Sequence, residues 1–419
     1  MRNVRVLLAA GVMVAAGVTI SITDHVNSGS LLPTTFDGAV VGSLTCPGLS
    51  QHLGDDVSTF RAVNLSPGTR TLVASVDGLS PRRTWRVSAT SGWSTSIPTT
   101  GSMTTLRADV YGGEVAGALY GGGQLSPCSR RGVSDWWVSG VSTLAYQSAT
   151  LILANPAATP AVVTVTGYVA SGVVSPGDDQ GLTIPGGHSS AINISSQLIG
   201  EANAALHVQA AAGRVVARLI EGTPGGSLHG ILVGGDLRHT FAWGNVPTSG
   251  IATINGFNPG NQVVSVSATV LMAGYDIAPV TVTAYPHSAF SLPVIPSTGV
   301  PSAGLAAIEL RAKGSISATL RDGATPTALV ASSGTPLTSG SHLVINAGGL
   351  ASGALQIVGG GEIHTRAVGA AHVRFQSSTA RYRISTMSGA GSAMVLSAQP
   401  VAVFFATGVA TAEVALDGR

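Results

Sequence analysis

Two cysteines, Cys46 and Cys128, are the chain's only thiols, and neither has Cys or His at the spacing of a zinc site. In an exported chain such a pair closes a disulfide; free or metal-binding thiols are the alternative. Asp55-Asp56 and Asp178-Asp179 are paired acids of the kind a glycosidase or a calcium site uses. Adjacent acids on a strand or turn diverge, however, whereas glycosidase carboxyls face one substrate about 5 to 9.5 Å apart. The histidines are dispersed, and pairs such as His364 with His372 or His229 with His239 lack a third ligand. No G-x-S-x-G elbow, H-E-x-x-H helix or Walker loop occurs, and the sole lysine, Lys313, stands outside any S-x-x-K motif. The run Tyr120-Gly121-Gly122-Gly123 continues into Gln124, Leu125, Ser126 and Pro127, which is a loop and not a phosphate cradle. No catalytic residue, metal site or cofactor is therefore expected.

Aromatic side chains are scarce, which gives weight to the tryptophans. Trp136-Trp137 follows Asp135 shortly after Cys128, and Trp243 stands in a similar setting further on. Neighbours on a strand point to opposite faces, so one indole of the pair turns away from the side the other occupies. Exposed, Trp136, Trp137 or Trp243 would stack on a sugar ring or anchor a partner. Buried, they would plug joints between packed sheets.

The charge balance is nearly neutral, with 21 basic and 19 acidic residues and a formal net charge of +2. Charged residues make up only 10% of the chain, against about 25% in ordinary globular domains. The arginines are scattered, with no run longer than Arg82-Arg83 or Arg130-Arg131, so no nucleic-acid partner is expected.

Arg2 and Arg5 precede an uncharged apolar run from Val6 to Ile22. At about 1.5 Å per helical residue this run nearly crosses a bilayer, and Thr23-Asp24-His25 offers no small-residue cleavage pattern. The expectation is an uncleaved signal anchor, with the membrane as partner through residues 4–22 and the rest of the chain exported. Secretion after signal cleavage is the alternative.

The elements that must position these residues are short strands. Asn64, Asn155, Asn258 and Asn346 each mark a turn, and about fifty residues after each comes an apolar-alternating strand pair beginning near Leu106, Leu206, Ile308 and Met394. Leu106, Ala108, Val110, Val115, Gly117 and Leu119 map one to one onto Leu206, Val208, Ala210, Val215, Ala217 and Leu219. Read as tight hairpins, these pairs bury one face; the other, carrying Arg107 and Asp109, His207 and Gln209, or Glu309 and Arg311, meets solvent or a partner. Asn155-Pro156 and Asn258-Pro259-Gly260 are turn signals followed by β-branched strands. The fold class expected is all-β, with tandem immunoglobulin-like β-sandwich units after an N-terminal transmembrane helix. The boundaries are 1–30 for the anchor and linker, then sandwiches at 31–130, 131–237, 238–332 and 333–419. A single propeller is the competing all-β reading, but its blades repeat at about 40 to 50 residues.

The order Cys128, Asp135-Trp136-Trp137-Val138-Ser139-Gly140, Leu151-Ile152-Leu153-Ala154-Asn155-Pro156 and Val162-Val163-Thr164-Val165 resembles a family of exported actinobacterial proteins catalogued as a domain of unknown function. The resemblance implies a hydrophobic N-terminal segment, Asn-Pro/valine-strand repeats and an envelope role; it implies no catalytic residues. The functional expectation is a non-catalytic, membrane-anchored extracytoplasmic scaffold or binding protein of the cell envelope, with an envelope protein or glycan as partner and a possible part in glycan assembly. The alternatives are a carbohydrate-binding module using exposed tryptophan and an unrecognised envelope hydrolase.

Overall fold

The computed structural model describes residues 40–47, 57–64, 69–76, 83–87, 92–98, 105–111, 115–121, 124–129, 132–169, 172–174, 181–222, 228–232, 234–272, 275–296, 298–301, 305–322 and 330–332, and the strands between His342 and Asp417. The expected anchor over residues 4–22, the linker to residue 30 and the acid pairs at 55–56 and 178–179 lie outside the described residues. Among the described residues no helix is long and apolar enough to cross a membrane.

Among the described residues the fold is all-β, and every strand pairing is antiparallel and local to one stretch of sequence. The first stretch forms two four-stranded sheets. One runs Val40–Cys46, Leu106–Tyr111, Arg70–Val76, Arg83–Val87; the other runs Gly92–Pro98, Val57–Asn64, Val115–Gly121, Gln124–Pro127. The second stretch repeats that order. Gly172–Val174, Ala161–Val169, Ala204–Ala212 and Asp135–Val141 make one sheet, which Leu182–Ile184 joins by pairing with Ala161–Val169. Ser189–Asn193, Ser148–Ala154, Val216–Gly222 and Leu228–Leu232 make the other.

In the third stretch one long strand, Leu305–Asp322, serves both layers. Its first half pairs with Arg238–Pro247 and Val264–Leu271, and its second half with Ala252–Asn258 and Val330–Ser332. The outer positions go to Val280–Ala284 and Ser288–Ile295. The last stretch again has two four-stranded sheets: Ile363–Gly369, Gly391–Ser397, His342–Asn346, Glu413–Asp417, and His372–Ser378, Tyr382–Ser388, Ser352–Val358, Ala402–Phe405.

Alternation places the core where these residues predict it. Leu151 and Leu153 from one sheet meet Val163, Val165, Leu206 and Val208 from the other in a single buried cluster. A second cluster joins Trp243, Ile254, Val266, Ile308, Leu310 and Leu320 in the same way. Leu206, Val208, Val215, Ala217 and Leu219 are all buried, as are Ile308, Leu310, Ile316, Ala318 and Leu320.

The tight hairpins, however, are not hairpins. Leu106–Tyr111 and Val115–Gly121 lie in opposite sheets, as do Ala204–Ala212 and Val216–Gly222, and Gly391–Ser397 and Ala402–Phe405. A period of two reports which face is buried, not where the backbone bonds go. Two strands joined by a short turn bury the same face whether they pair edge to edge or face one another across the core, about 10 Å apart. Gly213, at φ 75, makes the second of these arches, and Ala161 packs so close that a Cβ there would lie 2.9 Å from its own.

The asparagines that mark the turns share a strand-terminal position: Asn64, Asn258 and Asn346 end their strands, and Asn155 follows Ala154 directly. Asn155 donates from Nδ2 to the carbonyls of Thr159 and Ile184 and accepts from the Ala157 amide. Asn258 repeats the pattern, donating to Gln262 and Ala284 and accepting from the Gly260 amide. Both side chains are buried, and in each turn one bond, to the Ile184 or Ala284 carbonyl, satisfies a backbone group inside the protein. Asn258→Ala is accordingly expected to destabilise the protein by about 2 to 3 kcal/mol, read as a lowered denaturant midpoint. Asn258→Asp, which keeps the acceptor but sets a buried carboxylate against the Gln262 and Ala284 carbonyls, is expected to cost at least as much.

The disulfide forms between Cys46 and Cys128. Around it Thr45 and Ser129 exchange two backbone hydrogen bonds of 2.8 Å each, so the start of the first stretch is tied to the entrance of the second.

Candidate functional site

The densest polar chemistry among the described residues lies where the second and third stretches meet. Strand Asp135–Val141 presents alternate side chains to opposite sides, as the Trp136-Trp137 pair requires. Trp136 enters the core of the second stretch, while Trp137 faces away and joins Phe257 of the third. His207 stacks on the Trp137 indole at 3.9 Å and 9°, and Tyr168 packs against Phe257 at 4.7 Å. Asp135 approaches His207 at 3.3 Å from the exposed rim. Burial, and next the charge of Asp135, push the Tyr168 phenol up from its ordinary value.

Two residues further along the same strand the seam turns polar. Ser139 donates its hydroxyl to the Asn255 carbonyl, and its own carbonyl accepts from Thr319 Oγ1 at 2.7 Å. Gly140 follows with φ at 75, and a Cβ on it would lie 2.6 Å from Thr319 Oγ1 and 2.9 Å from the Asn255 Cβ. Glycine there answers two needs at once: a left-handed backbone and a close approach of two sheets. Gly140→Ala is expected to cost about 2 kcal/mol by thermal unfolding, the backbone strain and the crowding adding together.

At the centre of the seam Arg321 spans the two stretches. Its guanidinium meets both Glu221 carboxylate oxygens, at 2.5 and 2.6 Å, and donates to the Gly140 carbonyl through Nε at 2.8 Å and also through Nη2. Glu221 Oε1 in turn accepts the Ser142 amide at 2.8 Å. Both side chains are buried, at 8% and 4% exposure. A buried ion pair holds only where further hydrogen bonds satisfy its remaining donors and acceptors, and here the backbone supplies them. Asn203, bonded to the Phe290 carbonyl and Ser291 Oγ, extends the seam.

A second buried charge, Arg218, lies on the same strand as Glu221. It donates to the Ala217 carbonyl at 2.8 Å and to Ser129 Oγ at 3.1 Å, beside the disulfide. Burial pushes its guanidinium down to about 10, which leaves it charged at neutral pH.

This arrangement positions backbone; it does not move protons. The Glu221 oxygens are engaged by Arg321 and Ser142, which leaves the carboxylate committed as an acceptor and poorly suited to act as a base. Among the described residues no group of three or more His, Cys, Asp or Glu is placed to hold a metal ion. His364 and His372 stand on strands of different sheets.

The sugar-stacking reading of the tryptophans requires correction. Trp136, Trp137 and Trp243 are only 2%, 6% and 0% exposed, and Trp243 lies parallel to Phe241 at 5.9 Å. A large indole gains more by filling a core or joint than by meeting water. The outward face expected to meet solvent or a partner is also revised in part. Glu309 is buried at 4%, paired with Arg311 two residues along the strand at 2.9 and 3.0 Å.

Sequence reasoning left Glu221, Arg321 and Arg218 unmarked. The available signal is their setting: Arg218 and Glu221 stand in a strand of core residues and Arg321 follows the core residue Leu320, in a chain so poor in charge.

Fold and seam together define an all-β protein of several sheets in which buried charges join two successive layers of structure. Residues 122–321 match the model of a family of unknown function, DUF5719. That span takes in both sides of the seam and ends at Arg321 itself. No curated protein and no solved structure matches the chain.

Proposed function

We propose that the chain is a non-catalytic, membrane-anchored extracytoplasmic scaffold or binding protein of the cell envelope. In this reading residues 1–30 are the anchor and juxtamembrane linker, followed by four tandem immunoglobulin-like β-sandwich units at 31–130, 131–237, 238–332 and 333–419. The observation that carries it is the seam: Glu221 and Arg321, the buried charges at the centre of the chain, are committed to holding two layers of structure in one orientation. A molecule that invests its buried charges in orientation is suited to presenting surfaces at fixed positions. The Cys46–Cys128 disulfide supports an oxidising compartment, and the apolar run Val6 to Ile22 supports anchoring.

Proximity labelling tests this reading, with the tag at the C-terminus of the full chain in its native host. The expected result is a label set dominated by one envelope complex, with the protein retained in membranes after an alkaline wash. A label set drawn from cytosolic proteins, or dispersed without enrichment, contradicts it.

A further inference from the structure

We propose that two adjoining loops at one end of the third stretch, residues 259–263 and 285–288, form a binding platform for a neutral saccharide. The proposal rests on the extracytoplasmic binding role above and assigns it a ligand class and a place.

The argument starts from two turns that the hydrogen bonds make equivalent. Asn155 donates to the carbonyl of Ile184, and Asn258 donates to that of Ala284. Counting on from those carbonyls sets Pro185, Gly186 and Gly187 against Tyr285, Pro286 and His287. The third position of both turns is left-handed, with φ at 74 for Gly187 and 50 for His287. His287 is the one non-glycine residue with positive φ among the described residues. Backbone geometry alone is best met by glycine, as in the sister turn. What the third stretch retains at a conformational cost is therefore the imidazole.

That imidazole is held in place. His287 Nε2 and Asn261 Oδ1 lie 2.7 Å apart on the exposed surface, so in the neutral ring the Nε2–H donates to the amide oxygen. Imidazole Nδ1 and Asn261 Nδ2 are then an acceptor and a donor for a ligand. Tyr285 is 63% exposed where the sister turn has proline, and Val263 is 55% exposed. At this turn an aromatic face is open to solvent two residues from the fixed imidazole, where a ligand can reach both.

The loops also indicate the ligand class. No Asp, Glu, Lys or Arg occurs in residues 259–264 or 285–291. A phosphate or an acidic peptide would need cations that these loops lack. A pyranose fits: its apolar C–H face lies on a phenol ring, and its rim hydroxyls both donate and accept.

The test titrates the full chain with maltohexaose, cellohexaose and mannohexaose, observed by saturation-transfer NMR and calorimetry. The expected result is saturable binding of at least one of them. Tyr285→Ala and His287→Gly should each weaken that binding at least about ten-fold. His287→Gly should melt no lower than the parent, which separates loss of the site from loss of the fold. Tyr146→Ala, at another exposed tyrosine, should leave binding unchanged. Failure of all three sugars to bind at about 10 mM, or binding that survives both loop variants, overturns the proposal. A chain that labels one envelope complex yet binds no sugar rejects the platform alone; sugar binding by a chain without envelope labelling rejects the anchored scaffold alone.

Discussion

Arg321→Met is expected to destabilise the protein by about 3 to 5 kcal/mol, because it leaves the Glu221 carboxylate buried without its counter-charge. The same substitution strips the Gly140 carbonyl of its guanidinium donors. Glu221→Gln should cost a similar amount from the other side, stranding the guanidinium while preserving an acceptor for the Ser142 amide. The informative measurement is the double variant. Arg321→Met with Glu221→Gln removes both charges, so its loss should fall short of the sum of the singles by about 1 to 3 kcal/mol. Additive losses would mean that the two side chains do not act as a pair. Because the residues come from different stretches, the unfolding transition also carries information. The parent should melt the two stretches together, and the single variants should separate their transitions.

Removing the disulfide is the second large effect. Cys46 and Cys128 are 82 residues apart, and cross-linking a loop of that length stabilises a fold by about 4 kcal/mol in the chain-entropy model. The loss expected for Cys46→Ser with Cys128→Ser is of that size, seen as a lowered midpoint matching that of the reduced parent. Its location follows from what the bond ties. Thr45 and Ser129 exchange backbone hydrogen bonds beside it, and Ser129 Oγ accepts from the buried Arg218. Hydrogen exchange should therefore quicken in Val40–Cys46 and Leu106–Tyr111, which pair with each other, and much less in Val264–Leu271. Uniform quickening would mean that the disulfide acts only through the unfolded chain. Ser129→Ala, which removes only the hydroxyl, should cost about 1 kcal/mol.

Much of the fold was legible because its signals are local. Alternation at Leu206, Val208, Ala217 and Leu219 needs only neighbouring residues to declare a buried face, and those side chains are buried. Asn155 and Asn258 announced turns through their own backbone chemistry, and the Cys46–Cys128 pair followed from compartment and count. Pairing was not legible. Leu106–Tyr111 and Val115–Gly121 bury the same pattern whether they share a sheet or face each other, and only tertiary contacts decide between the two. The seam was hidden for a related reason. Arg321 alternates with Ile316, Ala318 and Leu320 and so falls on the outside of its own layer, and outside for one layer is inside for two; Glu221 shares the parity of Ala217 and Leu219, where alternation expects an apolar residue. Trp137 is the same case read from the apolar side: it points away from its own core and into a joint with Phe257. The platform at Tyr285 and His287 needed the backbone, since a left-handed histidine cannot be told from any other in sequence.

The Glu221–Arg321 pair, with the Gly140 carbonyl and the Ser142 amide, holds the second and third stretches against each other. Hydrogen exchange at the Ser142 amide reports on that hold, since the amide donates to Glu221 inside the seam. Ser142 is expected to exchange as slowly as Leu151 and Ile254, through global unfolding alone. Exchange at Ser142 well ahead of both would show that the two stretches part while each remains folded, and that the ion pair does not hold them together.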